Sequence, residues 1–224
     1  MATQVNALPA RSAAADLDFA VDQAACVPYA AAPTLGLALR IESRDGRAVH
    51  SLLLDVQVRI AARRRRYGAG ERERLAELFG RPEQWAASVQ SLLWTNTTLF
   101  VPGFEETASV HLPIPCSYDF EVAASRYLAA LEDGEVPLQL LFGGTVFRTG
   151  TDGRLELSRL PLDREARFGL PVSVWRETMD HHFPGAAWLR LRRSSFDRLA
   201  AYRAREALPT WDSVVERLLA EAGE

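Results

Sequence analysis

From Leu35 onward apolar and polar residues alternate. In LGLALRIE, Leu35, Leu37, Leu39 and Ile41 share one face, the period of a strand half-buried against a core. Asp45-Gly46 offers a turn. VHSLLLDVQVRI then sets His50, Leu52, Leu54, Val56, Val58 and Ile60 against a wetter face that includes Asp55, Gln57 and Arg59. Two such runs around a short turn predict a hairpin. The period then changes. ERERLAELF carries Leu75, Leu78 and Phe79 at helical spacing until Gly80 and Pro82 end it, and PEQWAASV places Trp85 and Val89 one turn apart. Strand-favouring residues return in LLWTNTTLFV up to Pro102-Gly103. TASVHLPIPC reads as a further strand, which Pro113 and Pro115 place at an edge or in an irregular position.

The segment YDFEVAASRYLAALEDGEVPLQLLFGGTVF holds two signals. Its alanines and leucines favour a helix over AASRYLAAL, whereas Phe120, Val122 and Ala124 alternate and Asp133-Gly134 offers a turn. A hairpin is the expectation, with VPLQLLF as its second strand. Another strand pair is expected across Gly150–Gly153. Beyond Pro171 the pattern turns helical. Val172, Trp175, Met179 and His182 form one stripe, and Phe196, Leu199, Arg203 and Ala207 a weaker one. The cleanest comprises Trp211, Val214, Val215, Leu218 and Leu219, with Thr210 as N-cap. The fold class implied is α+β: an antiparallel β-sandwich or bent sheet followed by a helical C-terminal element. The expected division is a loose lead-in over 1–17, a β domain over 18–168 with a helical insertion near 71–90, and helices over 169–224 packed on the sheet.

Composition narrows the function. The 224 residues suit one domain with at most a small appendage, and 48% hydrophobic residues supply a core. A net charge of −3 argues against a dedicated nucleic-acid binder. Two cysteines, Cys26 and Cys116, make no disulfide scaffold, no apolar run reaches membrane-span length, and no export signal opens the chain. These features give the expectation of a cytoplasmic protein. All 26 basic residues are arginine. Every basic contact is therefore a planar fork suited to carboxylates, and Schiff-base or phosphate-loop lysine chemistry is excluded. GxSxG, HExxH, CxxC and dinucleotide-binding spacings are absent, so a non-enzymatic role is the expectation.

Three clusters carry candidate chemistry. Arg59, Arg63, Arg64, Arg65 and Arg66 stand at the end of a strand, and four consecutive guanidiniums cannot all be buried without a partner each. They read as a docking patch for an acidic partner or as a solvated strand exit neutralised by Glu71, Glu73 and Glu77. Acids gather instead between 102 and 137, where Glu105, Glu106, Asp119, Glu121, Glu132, Asp133 and Glu135 stand against Arg126 alone. In FPGAAWLRLRR, Trp188, Leu189 and Leu191 interleave with Arg190, Arg192 and Arg193, a second candidate for partner contact or an ordinary edge strand. His181, His182 and Cys116 are the candidate ligands for a transition metal (nickel, iron or zinc), although adjacent helical residues point about 100° apart. The alternative is a packed histidine pair at a helix end and an inert buried thiol. No cofactor is otherwise expected.

The segments QVRIAARRRRY, LLWTNTTLFVPGF, LPIPCSYDFEVAASRYLAALEDGEVPLQLLFGGTVF and VSVWRETMDHHFPGAAWLRLRR together resemble an uncharacterised family of actinobacterial proteins. The resemblance covers about residues 35–215. Such proteins look to be encoded beside high-affinity [NiFe] hydrogenase genes. That implies an accessory, maturation or assembly role with a hydrogenase subunit or maturation factor as partner. It brings no catalytic residues with it.

Overall fold

The computed structural model describes residues 14–85, 89–117, 119, 122–186 and 190–223. It divides into two compact units, Met1–Ala187 and Trp188–Glu224. The first holds eight strands: β1 (Leu17–Cys26), β2 (Thr34–Ser43), β3 (Val49–Ile60), β4 (Leu92–Phe104), β5 (Thr107–Pro115), β6 (Glu135–Thr149), β7 (Leu155–Arg159) and β8 (Glu165–Pro171). Its helices are α1 (Ala69–Phe79), α2 (Ala123–Ala130) and α3 (Val172–His182). The second holds α4 (Arg193–Arg205) and α5 (Trp211–Ala222).

The strands form two antiparallel sheets, so the expected α+β class is what the chain adopts. One runs β1-β2-β5. The other runs β4-β3-β6-β7, with β8 also pairing β6. Alternation explains the layers. Leu35, Leu37, Leu39 and Ile41 of β2 are fully buried, as are Leu52, Leu54, Val58 and Ile60 of β3. Their faces supply one continuous core, in which the rings of Phe19 on β1 and Phe142 on β6 stack at 4.2 Å. Gly144 makes one close approach possible: it adopts φ +142°, and a Cβ there would lie 2.1 Å from the Leu53 carbonyl oxygen.

Two expectations fail here. β2 and β3 do not pair with each other: β2 lies between β1 and β5, and β3 between β4 and β6. The segment between them crosses from one sheet to the other. Asp45 fixes that crossing, accepting from Arg148 Nη1 at 2.6 Å and Nη2 at 3.0 Å. Alternation states which face is buried, not which strand lies alongside. The second failure is the hairpin expected before β6, where the structure has α2. Ala124, Tyr127 and Leu128 are buried at helical spacing, and the Tyr127 hydroxyl meets that of Tyr67 at 3.0 Å. Helix propensity decided the backbone there. The alternation around Phe120 falls partly on residues outside those described.

Other elements follow the pattern. β5 is an edge strand that tolerates Pro113 and Pro115. β6 and β7 pair across the turn closed by Gly150 N–H donating to Arg154 O. α3 follows β8 directly, buries Val172, Trp175 and Met179, and packs against β1, β2 and β8. It lies in the first unit with the sheets. In the second unit Ser213 N–H donates to Thr210 Oγ1 at 3.1 Å, the expected cap, and the rings of Phe196 and Trp211 lie 5.3 Å apart.

Candidate functional site

The arginine block leaves β3 through a short 3-10 turn, Ala62–Arg64, and the turn sorts the four consecutive residues. Arg65 turns inward: its side chain is 9% exposed and pairs at 2.7 Å with Glu71, itself 5% exposed. Arg65 Nη1 also donates to Glu135 O at 2.6 Å, and Nη2 donates to Asp133 O. Gly134 lets the chain bend around this guanidinium, at φ +79° and with room for a Cβ only 3.3 Å from Nη1. Glu71 is held just as firmly, accepting from Glu132 N–H at 2.9 Å and Gly68 N–H at 3.1 Å. Burial works to raise its pKa, but these two N–H donors and the Arg65 fork outweigh it and keep the carboxyl below its ordinary range.

Arg63, Arg64 and Arg66 differ from Arg65 in exposure. All three are exposed, and among the described residues none has a carboxylate within 4.0 Å. Arg59 lies half-buried on the outer face of the five-stranded sheet, beside Gln139 of β6, with its Nε buried and unbonded. The block is thus one buried pair, one half-buried arginine and three exposed ones. Arg64 and Arg66 line an open cleft of about 730 Å³ with Arg167 and an apolar floor that includes Pro137, Leu138 and Phe168. Arg167 is paired at 2.8 Å with Glu165, while Gln139 donates to the same carboxylate.

Part of the acidic segment shares this cleft. Glu132, Asp133 and Glu135 line it, and Glu132 pairs with Arg74 at 2.6 Å. The two charge clusters therefore meet within one molecule, held together by Arg65 binding the carbonyls of the acidic turn. Sequence reasoning missed Glu71 as anything beyond a neutralising surface charge. A usable signal was its position three residues after Gly68, at the N3 position of α1, where a carboxylate satisfies free N–H groups.

The other candidates do not converge. Residues 190–192 carry no strand and Arg193 opens α4, pairing with Asp197 at 2.9 Å, so the expected edge strand is absent there. Trp188 lies outside the described residues. His181 Nε2 lies 2.9 Å from Pro28 O, and His182 faces Thr178 O through Nδ1 at 3.0 Å and Ala30 O through Nε2 at 3.2 Å. A ring nitrogen that donates to a carbonyl offers a metal no lone pair; both ring nitrogens of His182 face carbonyls, while His181 is engaged through Nε2 alone. Cys116 is buried, and burial pushes its thiol up to about 12. Among the described residues no three His, Cys, Asp or Glu side chains form a metal-binding group. No described helix is long and apolar enough to cross a membrane.

Residues 14–224 match the model of a family of unknown function (DUF6084). No curated protein matches the chain. Among solved structures, β-glucosidase 3B from Thermotoga neapolitana in complex with α-D-glucose is 15% identical over 69% of this chain and 17% of its own, with a TM-score of 0.26. A β-glucosidase from Kluyveromyces marxianus is 9% identical over 70% of this chain and 15% of its own, with a TM-score of 0.22. The chain thus spans under a fifth of each, and likeness at those scores supports no functional argument.

Proposed function

We propose that this chain, which belongs to the family of unknown function DUF6084, is a non-enzymatic accessory protein. It binds an acidic surface of another protein through Arg63, Arg64 and Arg66. The observation that supports this reading is the division of labour in the arginine block. One guanidinium is anchored inside by a carboxylate and two carbonyls, whereas its three neighbours are exposed and, among the described residues, have no carboxylate within 4.0 Å. Exposed guanidiniums beside a partly apolar cleft suit carboxylates of a docking protein, with bidentate geometry available at each. Such a contact favours fast, salt-sensitive association.

The resemblance to actinobacterial proteins encoded near [NiFe] hydrogenase genes supplies the partner class: a cytoplasmic hydrogenase subunit or maturation factor. The test is affinity capture from the native host with wild-type protein and with Arg64→Glu/Arg66→Glu, followed by quantification of hydrogenase subunits. Capture that falls at least tenfold in the variant, and also fades as salt is raised, supports the reading. Equal capture by both proteins removes the arginines from it, and absence of hydrogenase subunits from both removes the partner class.

A further inference from the structure

Among the described residues, every sheet edge but one is blunted along its middle. β1 carries Asp18 and Asp22 and a register break between Val21 and Gln23. β5 carries Pro113 and Pro115, and β7 is only five residues long. β8 carries Glu165 and Arg167 and ends at Pro171. Charges, prolines, bulges and shortness are the devices by which proteins keep sheet edges from pairing with other chains. β4 carries them only towards its ends, a register break at Trp94 and Pro102, and Thr95–Val101 between them has none. It is 13 residues long, LLWTNTTLFVPGF, with no charged residue and no proline before Pro102. It pairs with β3 along one side, and among the described residues no backbone hydrogen bond joins it to anything else. Its polar side chains are drawn to β3: Thr98 Oγ1 donates to Asp55 at 2.7 Å, and Gln57 Nε2 donates to Asn96 Oδ1 at 3.1 Å. Phe100 is 69% exposed beside the open edge.

We infer that β4 is a self-pairing edge: two copies of the chain join antiparallel along it, extending the five-stranded sheet across a two-fold axis. The self-complementarity of an uncharged edge selects a second copy as the occupant. A neutral Thr/Asn-rich edge gives an acidic or basic strand no complementary charge, whereas its own copy meets it with no like charges opposed in any register. Antiparallel pairing about a two-fold is self-complementary by symmetry. With Thr98 opposite Thr98 of the second copy, Asn96 faces the second copy's Phe100, and all these side chains stay on the outer face as the pleat requires. The surface is distinct from the arginine cleft and stands or falls without it.

The test is molar mass by light scattering at micromolar concentration for wild type, Phe100→Lys and Asn96→Lys/Phe100→Lys, with circular dichroism to confirm that each is folded. Wild type is expected at twice the chain mass. Like charges set opposite at two places in the double variant raise the dissociation constant roughly a hundredfold or more, leaving single chains. Mixing it with Asn96→Glu/Phe100→Glu restores the doubled mass. Phe100→Lys alone sets lysine opposite neutral Asn96 and keeps the doubled mass; if the double variant does not fold, Thr98→Lys, which sets lysine opposite lysine on the two-fold, is expected to leave single chains. A single-chain wild type overturns the inference. So does a dimer indifferent to lysines set opposite each other in this way, for instance one broken instead by Val215→Asp on α5.

Discussion

Glu71→Ala tests the split within the arginine block most directly. The change removes the carboxylate that accepts from Arg65, from Glu132 N–H and from Gly68 N–H, and leaves a guanidinium that is only 9% exposed without its countercharge. Breaking a buried pair from one side costs about 3–5 kcal/mol. Arg65 keeps its bonds to the carbonyls of Asp133 and Glu135, so the expected loss lies near the lower bound, about 3 kcal/mol. In a domain of this size that is a fall in melting temperature of roughly 6–12 °C. Arg64→Ala, four-square in solvent, should stay within about 0.5 kcal/mol of wild type. Urea denaturation followed by tryptophan fluorescence measures both, and an unchanged m-value assigns the difference to stability. A loss under about 1 kcal/mol for Glu71→Ala, or an equal loss for Arg64→Ala, would refute the assignment of Arg65 as the anchor.

Three further outcomes are expected. Gly144→Ala should give no soluble folded protein on expression, because the added methyl collides with the Leu53 backbone inside the five-stranded sheet; a stable folded variant would contradict the close approach. The Arg148 fork holds the Asp45 carboxyl well below its ordinary value of 3.8. Its stabilising contribution is therefore complete above about pH 5 and lost as pH falls below about 4. Asp45→Asn should cost about 3 kcal/mol at pH 7, and that gap should narrow in denaturation curves at falling pH; a constant gap speaks against the pair. Finally, an excess of a disulfide-exchange reagent at mildly alkaline pH should modify one thiol quickly, part-exposed Cys26, and reach buried Cys116 only on unfolding. Two equally fast thiols would contradict the burial of Cys116.

The chain announces its strands more clearly than their neighbours. β3, β4 and β5 can be read from alternation, propensity and proline placement, because each is governed by local geometry. β1 escapes such reading, since the irregularity between Val21 and Gln23 shifts its alternation out of phase. The partners of β2 and β3 escape too. A two-residue period is the same whether the next strand lies beside or across the core, and the Asp45–Arg148 pair that settles the matter joins residues 103 positions apart. At the candidate site, the necessity that some arginines face outward follows from electrostatics alone. Which one turns in does not: four identical side chains are told apart only by the backbone of the 3-10 turn and by Glu71 and Gly134 arriving from elsewhere. His182 shows the converse limit, because its place on the α3 stripe says nothing of the carbonyls that occupy its ring.

The interleaving of the sheets bears on how the chain can be made. β1 and β2 emerge first, yet their sheet lacks its third strand until β5 follows, and β3 has both neighbours only when β6 is out. Neither layer can finish alone, so no early fragment has a sealed interior. While synthesis proceeds, the uncharged β4 edge leaves the ribosome before β6, β7 and β8 exist to complete its sheet. A nascent chain in that condition is open to premature pairing with its neighbours on the same messenger, and slowing translation after Phe104 should raise the insoluble fraction.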